Sequence, residues 1–266
     1  MTNYNHYNVD IFYDFTIDKY CYLFDNFQAS TIIGEKYKCN LDYNLIEFSP
    51  LEIQYFIRNK KLSKHITKKI NNLFDIKKEY FFKLSNRSPK DILEKGKLEI
   101  LDDDHRTIKT EKKIKQLNIL KVKNIDDINF LLNNSCRCIE DILEFSKDIT
   151  KKLYLIFQDW RPNLGKSTEY RCFINNNKLT GICLYKPEYY SSRSIIPIEI
   201  IQHFINQLIH LFNQIDLKKY IIDCFIYKDD PLKIYFIEIN PFNEYIDTFS
   251  FDYDIINNTK YLLITL

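Results

Sequence analysis

At 266 residues the chain is long enough for one large domain or two lobes sharing a core. Hydrophobic residues make up 45% and aromatics 15%, a balance that sets intrinsic disorder aside. A formal net charge of +2 argues against strongly electrostatic nucleic-acid binding, and no apolar run approaches the roughly 18 residues of a membrane-spanning helix.

In chain order, Ser30-Thr-Ile-Ile33 predicts a strand. Ser49-Pro50 ahead of Leu51–Ile57 has the N-cap and first-turn proline of a helix. A second helical pattern runs from Leu62 to Leu73, and Lys78-Glu-Tyr-Phe-Phe-Lys-Leu84 predicts a short aromatic strand. Ser85-Asn-Arg-Ser-Pro89 is turn chemistry. Residues 94–123 are charged, with Asp102, Asp103 and Asp104 followed by a lysine-rich run, and are expected to form an exposed, solvated insert. Helices are predicted over Asp126–Leu132 and Cys138–Phe145, and strands over Leu153–Phe157, Tyr170–Ile174 and Leu179–Tyr185. Pro197 opens a long amphipathic helix, Ile198–Ile215. His203 and His210 lie seven residues apart on it without acidic or cysteine partners, so they read as helix-surface residues.

Segregated helices and antiparallel strands indicate an α+β architecture. The division expected is an N-terminal segment and first lobe over 1–150, carrying the insert at 94–123, and a second lobe over 151–266. The chain begins with a polar stretch lacking an apolar signal core. Its seven cysteines include no Cys-x2-Cys pair and read as reduced thiols. Together these predict a soluble, cytoplasmic, monomeric protein with no membrane or nucleic-acid partner. One alanine (Ala29) against abundant Ile, Asn, Lys, Tyr and Phe follows AT-rich codons. If that genome is viral, the compartment is the host cytoplasm.

The chemistry concentrates near the end. In Ile234-Tyr-Phe-Ile-Glu-Ile-Asn-Pro-Phe242 the carboxylate of Glu238 and the amide of Asn240 are two residues apart, so on a strand they share a face. Pro241 then stops ladder pairing. Hard oxygen ligands at a strand exit suit a Mg2+ that bridges nucleotide phosphates. Upstream, Lys219–Tyr227 predicts a second strand. A hairpin turning at Asp229-Asp230 puts Tyr227 opposite Leu232 and Asp223 opposite Phe236, leaving Asp223 diagonal to Glu238 as a third ligand. A surface hairpin with solvated acids is the alternative.

Other parts fit a nucleotide. Lys83 is the lone cation in its strand and can meet a phosphate, and Ser88-Pro-Lys-Asp91, with Lys90, can reach the same group. Leu153-Tyr-Leu-Ile-Phe-Gln-Asp-Trp160 ends in polar groups suited to an adenine-contacting hinge. Glu169 and Arg171 share a strand face, as a ribose or ion contact and a phosphate fork. Taken singly, a strand lysine more commonly snorkels and a Glu/Arg pair more commonly forms a structural salt bridge.

In this order, Phe81–Asp91, Leu155–Trp160, Glu169-Tyr-Arg-Cys-Phe-Ile174, Ile222-Asp223 and Ile237–Phe242 with Ile246-Asp-Thr248 resemble the cell division cycle protein 123 family over roughly residues 21–255. The Glu-x-Arg-Cys-Phe strand and the tail Asn240–Asp247 are the most specific elements. The resemblance implies an ATP-grasp fold with nucleotide between two α+β lobes, and a role as assembly chaperone for eukaryotic translation initiation factor 2 through its gamma subunit. It implies ATP and Mg2+ as ligands. Lys83 falls to phosphate, Phe157, Gln158, Asp159 and Trp160 to the adenine hinge, Arg171 to phosphate or to ordering the site, and Asp223, Glu238 and Asn240 to the metal. No catalytic residue is implied. Glu238 stands where the family has Asp, Asn243 replaces a customary Gly, and Gln158-Asp159 replaces a basic pair. The chain ends at Leu266, short of an acidic tail that many members carry, so weaker or redirected partner binding is expected if that tail engages the partner. An ATP-grasp ligase or kinase working through an acyl phosphate, and a divergent, viral or effector-like interaction module, are the competing readings.

Overall fold

The computed structural model describes residues 31–33, 37–40, 44–75, 78–92, 118–148, 150, 152–160, 168–185, 198–212, 218–227, 230–242, 248, 251–259 and 262–265. Strands β1 (Thr31–Ile33), β2 (Tyr37–Asn40) and β3 (Asn44–Phe48) are followed by helices α1 (Pro50–Asn59) and α2 (Lys64–Leu73). Next come β4 (Tyr80–Leu84), β5 (Lys121–Val122), α3 (Ile125–Asn134), α4 (Cys136–Phe145) and β6 (Leu153–Asp159). The remainder is β7 (Thr168–Asn175), β8 (Lys178–Leu184), α5 (Ile198–Phe212), β9 (Lys219–Tyr227), β10 (Asp230–Pro241), α6 (Tyr253–Asn258) and β11 (Leu263–Thr265). The architecture is α+β, in two compact units.

One unit holds β3 to β6 and α1 to α4. Its helices start where the sequence places caps. Ser49 accepts from the Glu52 amide with Pro50 in the first turn, Ser63 accepts from Ile66, and Ser135 from Cys138. α1 stops at Lys60, whose φ of 57° is a left-handed cap. The four strands run in the order β3-β6-β4-β5, all antiparallel. Ile46, Phe48, Phe82, Leu84, Leu155 and Phe157 pack in one cluster with Ile53, Ile66, Leu131 and Ile142 of the helices. Because β6 is central in this sheet, the division at 150/151 read from the sequence cuts through it. Successive strand-like segments do not reveal which sheet each will join. Residues 94–117 of the expected insert lie outside the described residues, whereas Leu120 and Val122 are buried in the core.

The other unit carries a seven-stranded sheet in the order β1-β2-β10-β9-β7-β8-β11, antiparallel except for β2–β10 and β8–β11. α5 packs on β8 and β10 and buries Ile201, Phe204, Ile205 and Leu208. One sheet face presents buried Cys172, Ile182, Ile222, Cys224, Ile226, Ile234 and Phe236. On the opposite face Phe173, Cys183 and Ile221 pack with Ile256 of α6, Phe242 and Phe251. A Cβ on Gly181 would strike Ile256 and approach Phe173 at 3.2 Å and Phe251 at 3.3 Å. Gly181→Ala is therefore expected to lower the stability of this unit by about 1–3 kcal/mol in chemical denaturation, and a neutral result would mean that Ile256 swings aside.

Cys136, Cys138, Cys172, Cys183 and Cys224 are free thiols. Burial pushes the Cys172 and Cys138 thiols up, so both stay protonated and inert. Among the described residues no helix is long and apolar enough to cross a membrane.

Candidate functional site

The ligand hairpin forms with a different register from the one predicted. Asp223 lies directly opposite Glu238, not Phe236, and Asn240 opposite Ile221. Tyr227 pairs with Asp230, and register shifts fall between Asp230 and Ile234 and between Phe236 and Glu238. The second shift makes Ile237 an extra residue on β10. Up to Phe236, paired with Cys224, the strand sends that side chain to the cysteine face. Two residues later Glu238 emerges on the Asp223 face, because its partner on β9 has advanced by only one. A uniform hairpin would have put Phe236 and Glu238 on the same side, so the bulge separates a core aromatic from a half-buried carboxylate.

Opposed residues point the same way, so the register defines one polar row. β7 contributes Glu169, opposite Phe225, and Arg171, opposite Asp223. β9 contributes Asp223, and β10 contributes Glu238 and Asn240. Arg171 and Asp223 are 5% and 3% exposed. Glu169, Glu238 and Asn240 are half-buried. At one end of the row Phe225 and Tyr235 stack with centroids 4.7 Å apart, and at the other lies the Phe173 cluster.

The expected phosphate fork is committed to an acid. Arg171 Nε donates to Asp223 Oδ1 at 2.7 Å and Nη2 to Oδ2 at 2.6 Å. Burial alone would lower the Arg171 pKa, but Asp223 outweighs it and holds the guanidinium above its ordinary value, with Glu238 adding to the effect. Its ring neighbour is Tyr185, with the guanidinium carbon 4.9 Å from the centroid. Asn240 Nδ2 also donates to Asp223 Oδ2, at 3.1 Å. Among the described residues no group of three or more His, Cys, Asp or Glu gathers that could hold a metal ion. The set here is two carboxylates and one amide oxygen, hard donors that fit Mg2+ and not a softer ion.

The other predicted residues lie in the four-stranded unit. Lys83 is 2% exposed, opposite Ile156 on the sheet face turned away from Phe82 and Phe157. Ser88 is buried and Lys90 half-buried in the loop after β4. Phe157 belongs to the core, 5.5 Å from Phe82 and 5.4 Å from Phe74 between ring centroids, so its side chain is unavailable to a base. Gln158, Asp159 and Trp160 are half-buried. Asp159 pairs with Lys78, the Trp160 amide donates to the Glu79 carbonyl, and Lys121 stands over the indole at 5.2 Å.

A clamp absent from the sequence reading fixes the Lys83–Lys90 loop. Arg87 donates to Asp141 Oδ1 through Nε at 2.9 Å and Nη2 at 2.6 Å, and to Glu140 and the Arg137 carbonyl. Asp91 accepts from the Ser135 hydroxyl and the Cys136 amide, both at 2.6 Å, at the N-terminus of α4. Tyr185 and Asp141 were also missed: Tyr185 meets Arg171 across the β7–β8 hairpin, and Asp141 meets Arg87 from 54 residues away.

A family model described as D123 matches residues 111–262, a stretch that includes Arg171, Asp223, Glu238 and Asn240 and excludes Lys83. The chain is 31% identical over 146 residues to the translation initiation factor eIF2 assembly protein of Xenopus laevis, covering 51% of this chain and 42% of that protein. Against the protein of the same name from Candida albicans it is 27% identical over 144 residues, covering 49% and 41%. The chain thus spans about two fifths of the length of these curated relatives. Its fold matches the solved structure of Cdc123 from Schizosaccharomyces pombe with a TM-score of 0.58 at 19% identity, covering 84% of this chain and 88% of that one.

Proposed function

The chain belongs to the D123 family, and from that premise we propose that it is an ATP–Mg2+-binding assembly chaperone for eukaryotic translation initiation factor 2. It binds the gamma subunit of that factor and promotes formation of the heterotrimer. The observation that carries this reading is the polar row of Arg171, Asp223, Glu238 and Asn240, which lies inside the matched stretch. The relatives, each named translation initiation factor eIF2 assembly protein, supply the client.

In this reading the fold is an ATP-grasp, and Asp223, Glu238 and Asn240 would hold Mg2+, which would offset the negative charge of the nucleotide phosphates. Lys83, Ser88 and Lys90 take phosphate oxygens, and the loop that bears the last two is braced on α4 by Arg87 and Asp91. The segment Phe157–Trp160 offers backbone groups and the Gln158, Asp159 and Trp160 side chains to the base, while Glu169 reaches ribose or ion. ATP binding shifts the population toward the client-binding form without bond-forming chemistry.

Thermal unfolding tests the site. ATP–Mg2+ at 100 times its Kd stabilises by about 2.7 kcal/mol, a rise of a few degrees in Tm. Glu238→Gln and Asn240→Ala, both at half-buried positions, are expected to abolish that rise while leaving the unliganded Tm near wild type. A rise that persists in both variants would sink the metal assignment. Capture of purified gamma subunit by the wild type tests the client, and steady ATP turnover with a small acid or amine would favour a ligase instead.

A further inference from the structure

The row of metal ligands contains a cation of the protein's own. Arg171 lies opposite Asp223 and grips both carboxylate oxygens, at 2.7 and 2.6 Å, with Tyr185 against its guanidinium at 4.9 Å. Both members of the pair are buried, so solvent does little to screen the charge. Glu238 also acts on Arg171. Of the negative charge that Asp223 and Glu238 would set against a divalent ion, the Arg171 guanidinium cancels one unit, and Glu169 lies farther along the row, opposite Phe225.

Asn240 adds a directional constraint. Its Nδ2 donates to Asp223 Oδ2 at 3.1 Å. The amide oxygen is on the other arm of the carboxamide, so this donation turns Oδ1 away from Asp223 and fixes where it can bind an ion.

We propose that Arg171 is the built-in counter-cation of this centre, so that Asp223, Glu238 and Asn240 accept a divalent ion only as its polyphosphate chelate and hold the free ion poorly. The inference rests on the ATP–Mg2+ reading of the site. A free hexahydrated Mg2+ gives up water reluctantly and here meets a carboxylate already neutralised by a fixed guanidinium. A polyphosphate supplies the missing negative charge and ligand oxygens, and the guanidinium then attracts the chelate where it opposes the bare ion. Arg171 is in this sense a positioning residue that sets the order of binding.

Mn2+ serves as the probe, with the free ion followed by its electron paramagnetic resonance signal. Wild type is expected to take up Mn2+ together with ATP and to leave Mn2+ alone largely free. Arg171→Met removes the charge and is expected to bind Mn2+ alone at least about tenfold more tightly than wild type. Asn240→Asp adds a negative charge with Arg171 in place, is expected to move the same way, and decides the matter where Arg171→Met does not fold. Arg171→Lys keeps the charge and is expected to behave like wild type. Tight binding of Mn2+ alone by wild type overturns the proposal, as does unchanged Mn2+ affinity in both charge variants. Failure of wild type to bind Mn2+ with ATP at all removes the underlying site reading, and the proposal with it.

Discussion

Asp223→Ala is expected to lower the unfolding free energy of the seven-stranded unit by about 3–5 kcal/mol. The substitution leaves Arg171 with its charge buried and without the carboxylate that both Nε and Nη2 use. It also strips the Asn240 amide of an acceptor. Replacing both partners, as in Arg171→Met with Asp223→Leu, is expected to restore most of the loss, because a well-packed apolar pair can match a buried ion pair. Urea denaturation combined with hydrogen exchange on β9 separates the variants. A loss below about 1 kcal/mol in the single variant would place the pair with ordinary surface salt bridges.

Arg87→Ala is expected to have a comparable effect, about 3–5 kcal/mol, on the four-stranded unit. Asp141 is fully buried, one of its oxygens takes both Arg87 bonds, and the other has no hydrogen-bond partner among the described residues. Burial pushes its carboxyl up to about 6, against the opposing pull of Arg87. The sign follows from linkage. The folded state keeps this proton up to about pH 6, whereas the unfolded chain releases it near the ordinary carboxyl value of 3.8. Stability contributed by Asp141 therefore rises as pH falls from about 6 to about 4, by roughly 1–3 kcal/mol. The difference in unfolding free energy between wild type and Asp141→Asn is expected to move in favour of wild type over that window. A flat difference would mean that Asp141 titrates alike in both states. Because Arg87 braces the loop with Ser88 and Lys90, its loss is also expected to weaken ATP–Mg2+ binding at neutral pH.

The helix starts were legible because they are local. Ser49-Pro50 carries its cap and first turn within four residues, and the amphipathic pattern after Pro197 gives α5 directly. The α+β class and the family resemblance, carried by the Glu169–Ile174 strand and the Asn240 tail, held for the same reason. The hairpin register did not, because the alternation rule assumes no bulge, and nothing in Phe236-Ile-Glu238 announces that Ile237 will be the extra residue. The family resemblance implies that Phe157–Trp160 forms the adenine hinge, and within that segment the Phe157 side chain falls on the core face of β6. β2 was not predicted as a strand, and besides β1 it pairs with β10, where Asn40 meets Tyr235 from the far end of the chain.

By itself the sequence determined that Glu238 and Asn240 share a face, that Pro241 ends their strand, and that Asp223 is the third oxygen donor nearby. Side-chain alternation and hairpin proximity are short-range properties, so these conclusions survived the change of register. Only the tertiary structure decided what each polar group is paired with. Arg171 and Asp223 are 52 residues apart and Arg87 and Asp141 are 54 apart. Burial raises the cost of leaving any of these charges unpaired, but it does not say which distant residue will meet it. That choice follows from strand order and register, which turned an expected phosphate fork into the internal partner of the Asp223 carboxylate.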